Sequence, residues 1–343
     1  MKTGRDLREV LVELNRQQAE KRDYISPASS LSLRPDGRTF SMAEKEFSTT
    51  DLFHRQVASA LNIPAKYYDL MQAEKPALLA ENVNAWFGSR DQSYMVRSLG
   101  KTVRALLSDR YRRIDNLEVA SAVLPLFAGM DGIEVMSCEL TESRLYLKVV
   151  NHRLEMACVG DRVQAGVVIS NSEVGLGAVS VQPLIYTLAC TNGMVVNSLG
   201  ERKTHVGRAA KGLEGYEVIS DETAEAEDKA FMLRLRDITI ASIDEVKFGM
   251  VVSRLAESAD AKITGKVVDV VELTGREYGL NQGEQDGVLK YLIEGGDLSL
   301  YGLSNAVTRY SQDVESYDRA TSLEGLGWQI ATMEPRKWKE INA

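Results

Sequence analysis

Apolar and polar positions recur with a different period in successive parts of this chain. From Gly4 to Arg22, Leu7, Val10, Leu11 and Leu14 fall at i, i+3, i+4 and i+7 with charged residues between them, the spacing of an amphipathic helix. Residues 27–37 break that pattern and read as a short strand closing in a Pro-Asp-Gly turn. Thr50-Asp51 supplies a cap for a helix through Leu61, and Pro64 and Pro76 each stand where a further helix begins. The bodies of those helices end near Gly88, so residues 1–90 read as a helical segment with short strands.

The period then shortens to two. Residues 93–99 and 102–107 alternate on either side of Gly100-Lys101, a two-residue hairpin signal. After a helix over 116–127, residues 132–140 and 144–150 flank Thr141-Glu142-Ser143 as a second hairpin. Val163, Ala165, Val167 and Ile169 alternate, as do Leu184, Tyr186, Leu188 and Cys190, which gives a third pair. Beyond His205 helical spacing returns. An acidic run over 214–228 precedes a long apolar-periodic stretch, and further helices span 282–293 and 298–312, the last with Leu300, Leu303, Val307 and Tyr310 on one face. The expected architecture is α+β: a mostly antiparallel sheet of β-hairpins over about 93–196, flanked by N-terminal and C-terminal helical segments. The corresponding domains are 1–90, a sheet-rich core at 91–206, and a helical region at 207–343 packing on that core.

Composition narrows the class without naming a reaction. At 343 residues, 44% hydrophobic and 26% charged, the chain matches a soluble globular protein with one large core or two to three modest domains. No window approaches the ~18 apolar residues of a membrane span, and Asp6 and Glu9 interrupt the start where a signal peptide needs an apolar run. A cytoplasmic protein with no membrane partner is expected. Cys138, Cys158 and Cys190 are widely spaced in strand-like stretches with no C-x-x-C, so they read as buried reduced thiols rather than metal ligands or a redox pair. No metal or cofactor is expected.

A net charge of −8 argues against coating duplex DNA by bulk electrostatics. Cations nevertheless gather between Arg90 and Asp115, where seven Lys and Arg residues face only Asp91, Asp109 and Asp115. Basic side chains on a hairpin, interleaved with aromatics, can follow a phosphate backbone while the rings stack on bases. If Val103, Ala105 and Leu107 face the core, Arg104 faces outward beside Lys101. On this reading Arg97, Lys101, Arg104, Arg110, Tyr111, Arg112 and Arg113 form a contact for single-stranded nucleic acid. The alternative is a solvated sheet face whose arginines pair with the acidic run at 214–228.

The remaining motifs carry no reaction. Residues 171–177, NSEVGLG, are glycine-rich but lack G-K-[ST] and lie between strands, so the glycines supply positive φ in a bend. Cys190-Thr191-Asn192-Gly193 reads as a tight turn or helix cap, and no histidine stands near enough in sequence to suggest a dyad with Cys190. Asp109, Asp115 and Glu118 alternate with arginines and read as ion pairs.

Three segments combine into a recognisable pattern: RALLSDRYR at 104–112 with Ile114-Asp115-Asn116, ISNSEVG at 169–175, and LACTNGM at 188–194. With NAVTRY at 305–310 and Asp318-Arg319-Ala320, this pattern resembles the phage- and plasmid-like family catalogued as domain of unknown function 932, over roughly residues 40–330. The resemblance implies a setting in prophages, plasmids or genomic islands and brings no activity. Asn171, Ser172, Gly175, Cys190, Asn192 and Gly193 are accordingly motif residues without a role. The leading expectation is a non-catalytic protein of phage or plasmid DNA metabolism that binds or anneals single-stranded DNA as a homo-oligomer. The alternative is a protein-interaction module that engages a host protein, a reading suited by the acidic composition and the N-terminal amphipathic helix. An enzyme with an unfamiliar site around Arg104, Asp109, Asn171 and Asn192 is a third class.

Overall fold

Strand pairing begins at Lys21, far ahead of the segment where the alternation is visible. The computed structural model describes residues 1–42, 44–111, 113–177, 179–196 and 221–343, with the backbone alone at 221–225. The fold is α+β, with two mostly antiparallel sheets and twelve α-helices among the described residues. The chain forms two compact units that are not consecutive segments. The first comprises Leu11–Leu117 with Ser172–Gly177, and the second Met1–Val10, Glu118–Asn171 and Ala178–Ala343.

The first unit follows α1 (Leu7–Glu20) with β1 (Lys21–Pro27), β2 (Leu31–Leu33), β3 (Thr39–Met42), β4 (Lys45–Thr49), β5 (Ser93–Leu99) and β6 (Thr102–Ser108). Their order is β1-β5-β6-β4-β3-β2, and only β4–β6 is parallel. Residues 1–90 thus supply four of the six strands, which corrects the expectation that the sheet starts near 93. β1 was hidden because KRDYISP has no strong apolar alternation. It becomes a strand by pairing Lys21 to Pro27 with Leu99 to Ser93, and an edge position tolerates its charges and Pro27.

Three helices, α2 (Asp51–Leu61), α3 (Ala65–Glu74) and α4 (Pro76–Gly88), come between β4 and β5. The Thr50 hydroxyl accepts from the Phe53 amide, as the cap signal predicts, and α2 stops at Asn62 in the left-handed region. Phe53 and Phe87 from the helices meet Phe40 from β3, with the Phe40 and Phe53 rings edge-on at 4.8 Å. Val96, Val103 and Leu106 complete this core from the sheet. Each such buried side chain contributes about 1.5–3 kcal/mol.

The β5–β6 hairpin turns at Gly100, whose φ is +55°, but its alternation is broken. Arg97 pairs with Ala105 and Ser98 with Val103, leaving Arg104 as the extra residue of a bulge. Val103 and Leu106 therefore join the aromatic core, while Ala105 and Leu107 join Met95 and Val174 in a separate apolar cluster. The single face expected for 103, 105 and 107 does not exist.

In the second unit, β7 (Ile133–Leu140), β8 (Leu145–Cys158), β9 (Asp161–Asn171), β10 (Ser180–Thr187) and β11 (Asn192–Val195) pair in the order β11-β10-β9-β8-β7, all antiparallel. They follow α5 (Asn116–Ala128) and precede α6 (Asp221–Ala241), α7 (Glu245–Asp260), α8 (Val267–Tyr278), α9 (Gln282–Gly295), α10 (Leu300–Tyr310), α11 (Tyr317–Ala331) and α12 (Pro335–Ile341). The apolar-periodic stretch divides at Asp244, whose carboxylate accepts from the Val246 and Lys247 amides and starts α7. Asn281 and Glu284 open α9 with a capping box. Leu300, Leu303 and Val307 face the helical core as their spacing predicts. Cys138 and Cys158 are buried, but Cys190 is exposed. β10 ends at Thr187, so Cys190 sits in a turn rather than a strand. No helix among the described residues is long and apolar enough to cross a membrane.

His54 ties α2 to its surroundings, with Nδ1 2.7 Å from the Tyr68 hydroxyl and Nε2 2.8 Å from Thr49 Oγ1. Burial lowers its pKa to about 4, below the ~6.5 of an unfolded chain. A depressed folded-state value means full stabilisation above the unfolded pKa, lost as pH falls from about 6.5 to about 4, with a slope of at most ~1.4 kcal/mol per pH unit. Urea titrations across that window should show the slope in the native protein and its loss in His54→Gln. Equal slopes in the two proteins would contradict this account.

Candidate functional site

The guanidinium of Arg97 is 1% exposed, and carboxylates meet it inside the first unit. Asp23 lies directly opposite on β1. Arg97 Nε and Nη2 donate to the two Asp23 oxygens at 2.7 and 2.8 Å, and Nη1 reaches Asp115 Oδ1 and the Glu173 carbonyl, each at 3.1 Å. Lys21 Nζ is 3.0 Å from both Asp115 Oδ2 and Glu173 Oε1. Glu173 Oε1 also accepts from the Asn116 amide at 2.7 Å. Its other oxygen makes no hydrogen bond among the described residues. It is held by charge, 3.8 Å from Arg104 Nη1 and 4.0 Å from Arg97 Nη1. Arg104 also donates to Gln17 Oε1 at 3.3 Å. Burial alone pushes the Asp23 carboxyl up, but Arg97 and then Arg113 outweigh it and hold it below the usual carboxylate range.

This arrangement corrects the reading of an outward basic face at Arg97 and Arg104. The bulge disturbs the alternation that was to aim Arg104 outward, and Glu173 draws both side chains inward. Tyr111 is half-buried against Met95, Ala105 and Leu107, and its hydroxyl donates to the Ser172 carbonyl, so its ring is not free to stack on a base. Lys101 and Arg110 are exposed at turns. Arg113 is exposed too, with Nη1 2.6 Å from Asp23 Oδ2. Arg112 lies outside the described residues, as does the acidic run up to residue 220. Among the described residues, the carboxylates that meet Arg97 and Arg104 are Asp23, Asp115 and Glu173. Asp115 does form ion pairs, as its alternation with arginines predicts.

The NSEVGLG segment is a bend, as its glycines imply. Ser172 Oγ accepts from the Val174 and Leu176 amides. Gly175 has φ +80°, and a Cβ there would lie 2.4 Å from Leu107 Cδ2, so both backbone and space require glycine. Asn171 is buried as the last residue of β9. Neither Lys21, Asp23 nor Glu173 carries a local signal of its role. Only the β1–β5 register brings Asp23 to Arg97.

The other motif residues lie in the second unit. Thr191 (φ +51°), not Gly193, takes the left-handed turn, and Asn192 and Gly193 are the first residues of β11, Gly193 opposite Tyr186. Asn192 is buried, donates to the Asn305 carbonyl at 3.3 Å and accepts from Gln312 Nε2 at 2.8 Å. This turn and the Asn305–Arg309 face of α10 line one cleft of about 700 Å³, with the exposed Cys190 thiol on its wall. Asp161, Glu294 and Asp297 also line it. Arg309 stacks on the Tyr291 ring at 4.6 Å, with Nη1 3.6 Å from Asp313. Among the described residues, no histidine lines the cleft beside Cys190. Among the described residues no three His, Cys, Asp or Glu side chains are grouped to hold a metal ion.

Replacing Arg97 by Met leaves buried carboxylates without their partner, a change that costs roughly 3–5 kcal/mol. Arg110→Met, at an exposed turn, should stay within about 0.5 kcal/mol of the native protein. Urea denaturation of both variants checks the difference. Comparable small losses would mean that Arg97 is not an internal ion.

No protein-family model, curated protein or solved structure matches this chain, so its own residues carry the functional argument.

Proposed function

We propose that this chain is a non-catalytic protein-interaction module of a mobile genetic element, working through the cleft of its second unit. One observation carries the reading. Two motif segments joined by the Asn192–Asn305 hydrogen bond, 113 residues apart in sequence, line the same cleft. Its volume of about 700 Å³ is in the range of specific binding sites. The mobile-element setting comes from the resemblance of those segments, with the bend at 169–175, to the phage- and plasmid-like family.

Single-stranded DNA binding is the second reading, favoured by exposed Lys101, Arg110 and Arg113. It is weakened because Arg97 and Arg104 already face carboxylates of their own unit. Phosphate contacts on a single strand give a log–log salt slope of about −0.7 each, so these three cations by themselves contribute about −2.

A salt series with a labelled single-stranded oligonucleotide separates the readings. The interaction-module proposal expects no saturable retention near ~0.15 M salt, and no change in the triple variant Lys101→Glu, Arg110→Glu, Arg113→Glu. Retention that this variant abolishes would overturn the proposal and favour the DNA reading.

A further inference from the structure

We infer that the cleft takes a short, positively charged peptide segment of a partner protein; the inference rests on the interaction-module reading and names its ligand. Among the described residues, three carboxylates, from Asp161, Glu294 and Asp297, line the cleft against one cation, Arg309. That cation is already committed to the Tyr291 face and to Asp313. The excess negative charge repels phosphate and attracts ammonium or guanidinium groups.

Two of the carboxylates hold exchangeable partners. Asp297 is 3.4 Å from Lys262 Nζ, and Glu294 is 4.0 Å from Lys290 Nζ, both lysines being exposed. Such pairs are worth at most about 1 kcal/mol, so an incoming cation replaces them at little cost. Asp161 is fixed differently, accepting from the Arg162 amide at 2.6 Å and the Ala189 amide at 3.2 Å.

The acidic wall is also preorganised. Gly302 allows α10 to approach so closely that a Cβ there would lie 1.7 Å from the Asp297 carbonyl oxygen. The same loop is pinned by the Ile263 amide to Leu298 and the Leu300 amide to Ala261, each at 2.9 Å. A loop held before binding does not have its ordering to meet on binding. Tyr291 lines the cleft as well and already stacks with Arg309, the kind of ring that receives cationic side chains. A space of about 700 Å³ admits several side chains in succession, which favours a peptide over a lone amine.

Cys190 gives the test a local reporter, because Cys138 and Cys158 are buried while Cys190 is exposed on the cleft wall. Fluorescein-labelled oligolysine is titrated into the full chain by anisotropy, with oligoglutamate as the charge control, and maleimide labelling of Cys190 is timed with and without saturating peptide. Oligolysine should bind and slow the labelling, while oligoglutamate should do neither. The double variant Glu294→Lys, Asp297→Lys should weaken binding about tenfold. Asp69→Lys, an exposed change on α3, should leave it within about twofold. Should the double variant misfold by circular dichroism, Glu294→Gln with Asp297→Asn replaces it, with a smaller loss in the same direction.

Oligolysine binding without protection of Cys190, or an equal loss in Asp69→Lys, would sink the cleft assignment and leave the interaction-module reading standing. Protection by free spermine at equal or lower concentration would overturn the peptide in favour of a small amine. Failure of the broader reading shows separately, as retention of the oligonucleotide.

Discussion

A guanidinium that cannot reach water must be met by carboxylates, and the first unit is organised around that condition at Arg97. Its fork is filled by Asp23 across the β1–β5 pair, by Asp115 ahead of α5 and by the Glu173 carbonyl in the 172–177 bend. Three separate stretches of chain are fixed by one side chain. Such a cluster is a poor source of net stability, since desolvating each ion costs several kcal/mol before the Coulomb attraction returns it. Its value is geometric. A one-residue slip of β1 would turn Asp23 away and leave a charge unmet, so the register of an otherwise weakly patterned edge strand is held by electrostatics.

The cluster also settles where charge is available for other uses. Lys21, Arg97 and Arg104 balance Asp23, Asp115 and Glu173, so the interior set is close to neutral and the net −8 belongs to the rest of the chain. The second unit repeats the device with Lys148 and Glu324, both fully buried, 2.6 Å apart and with the lysine over the Tyr317 ring at 4.4 Å. Arg97 and Arg104, which look like ligand groups in the sequence, are met by carboxylates of their own unit, while Glu294 and Asp297 at the cleft pair with exposed lysines.

The cleft belongs to the second unit and depends on turns. β10 stops at Thr187, Thr191 takes a left-handed conformation, and Asn192 is bridged to α10. This places a thiol, three carboxylates and a stacked arginine around one space.

Much of the local architecture could be read directly from residue order. The Thr50 cap, Pro76 at the start of α4, the Gly100-Lys101 hairpin, the positive φ at Gly175 and the buried face of α10 all follow from signals a few residues long. These depend on backbone sterics and short-range hydrogen bonds, which the chain carries wherever it goes. Tertiary structure alone decided that KRDYISP is a strand, that Arg104 sits in a bulge, that Asp23 and Glu173 meet Arg97, and that Cys190 and Asn305 share a wall. The bulge depends on how its own hairpin pairs and the others on partners more than 60 residues away in sequence, and a charge reveals whether it faces water or a counter-ion only once that partner is in place.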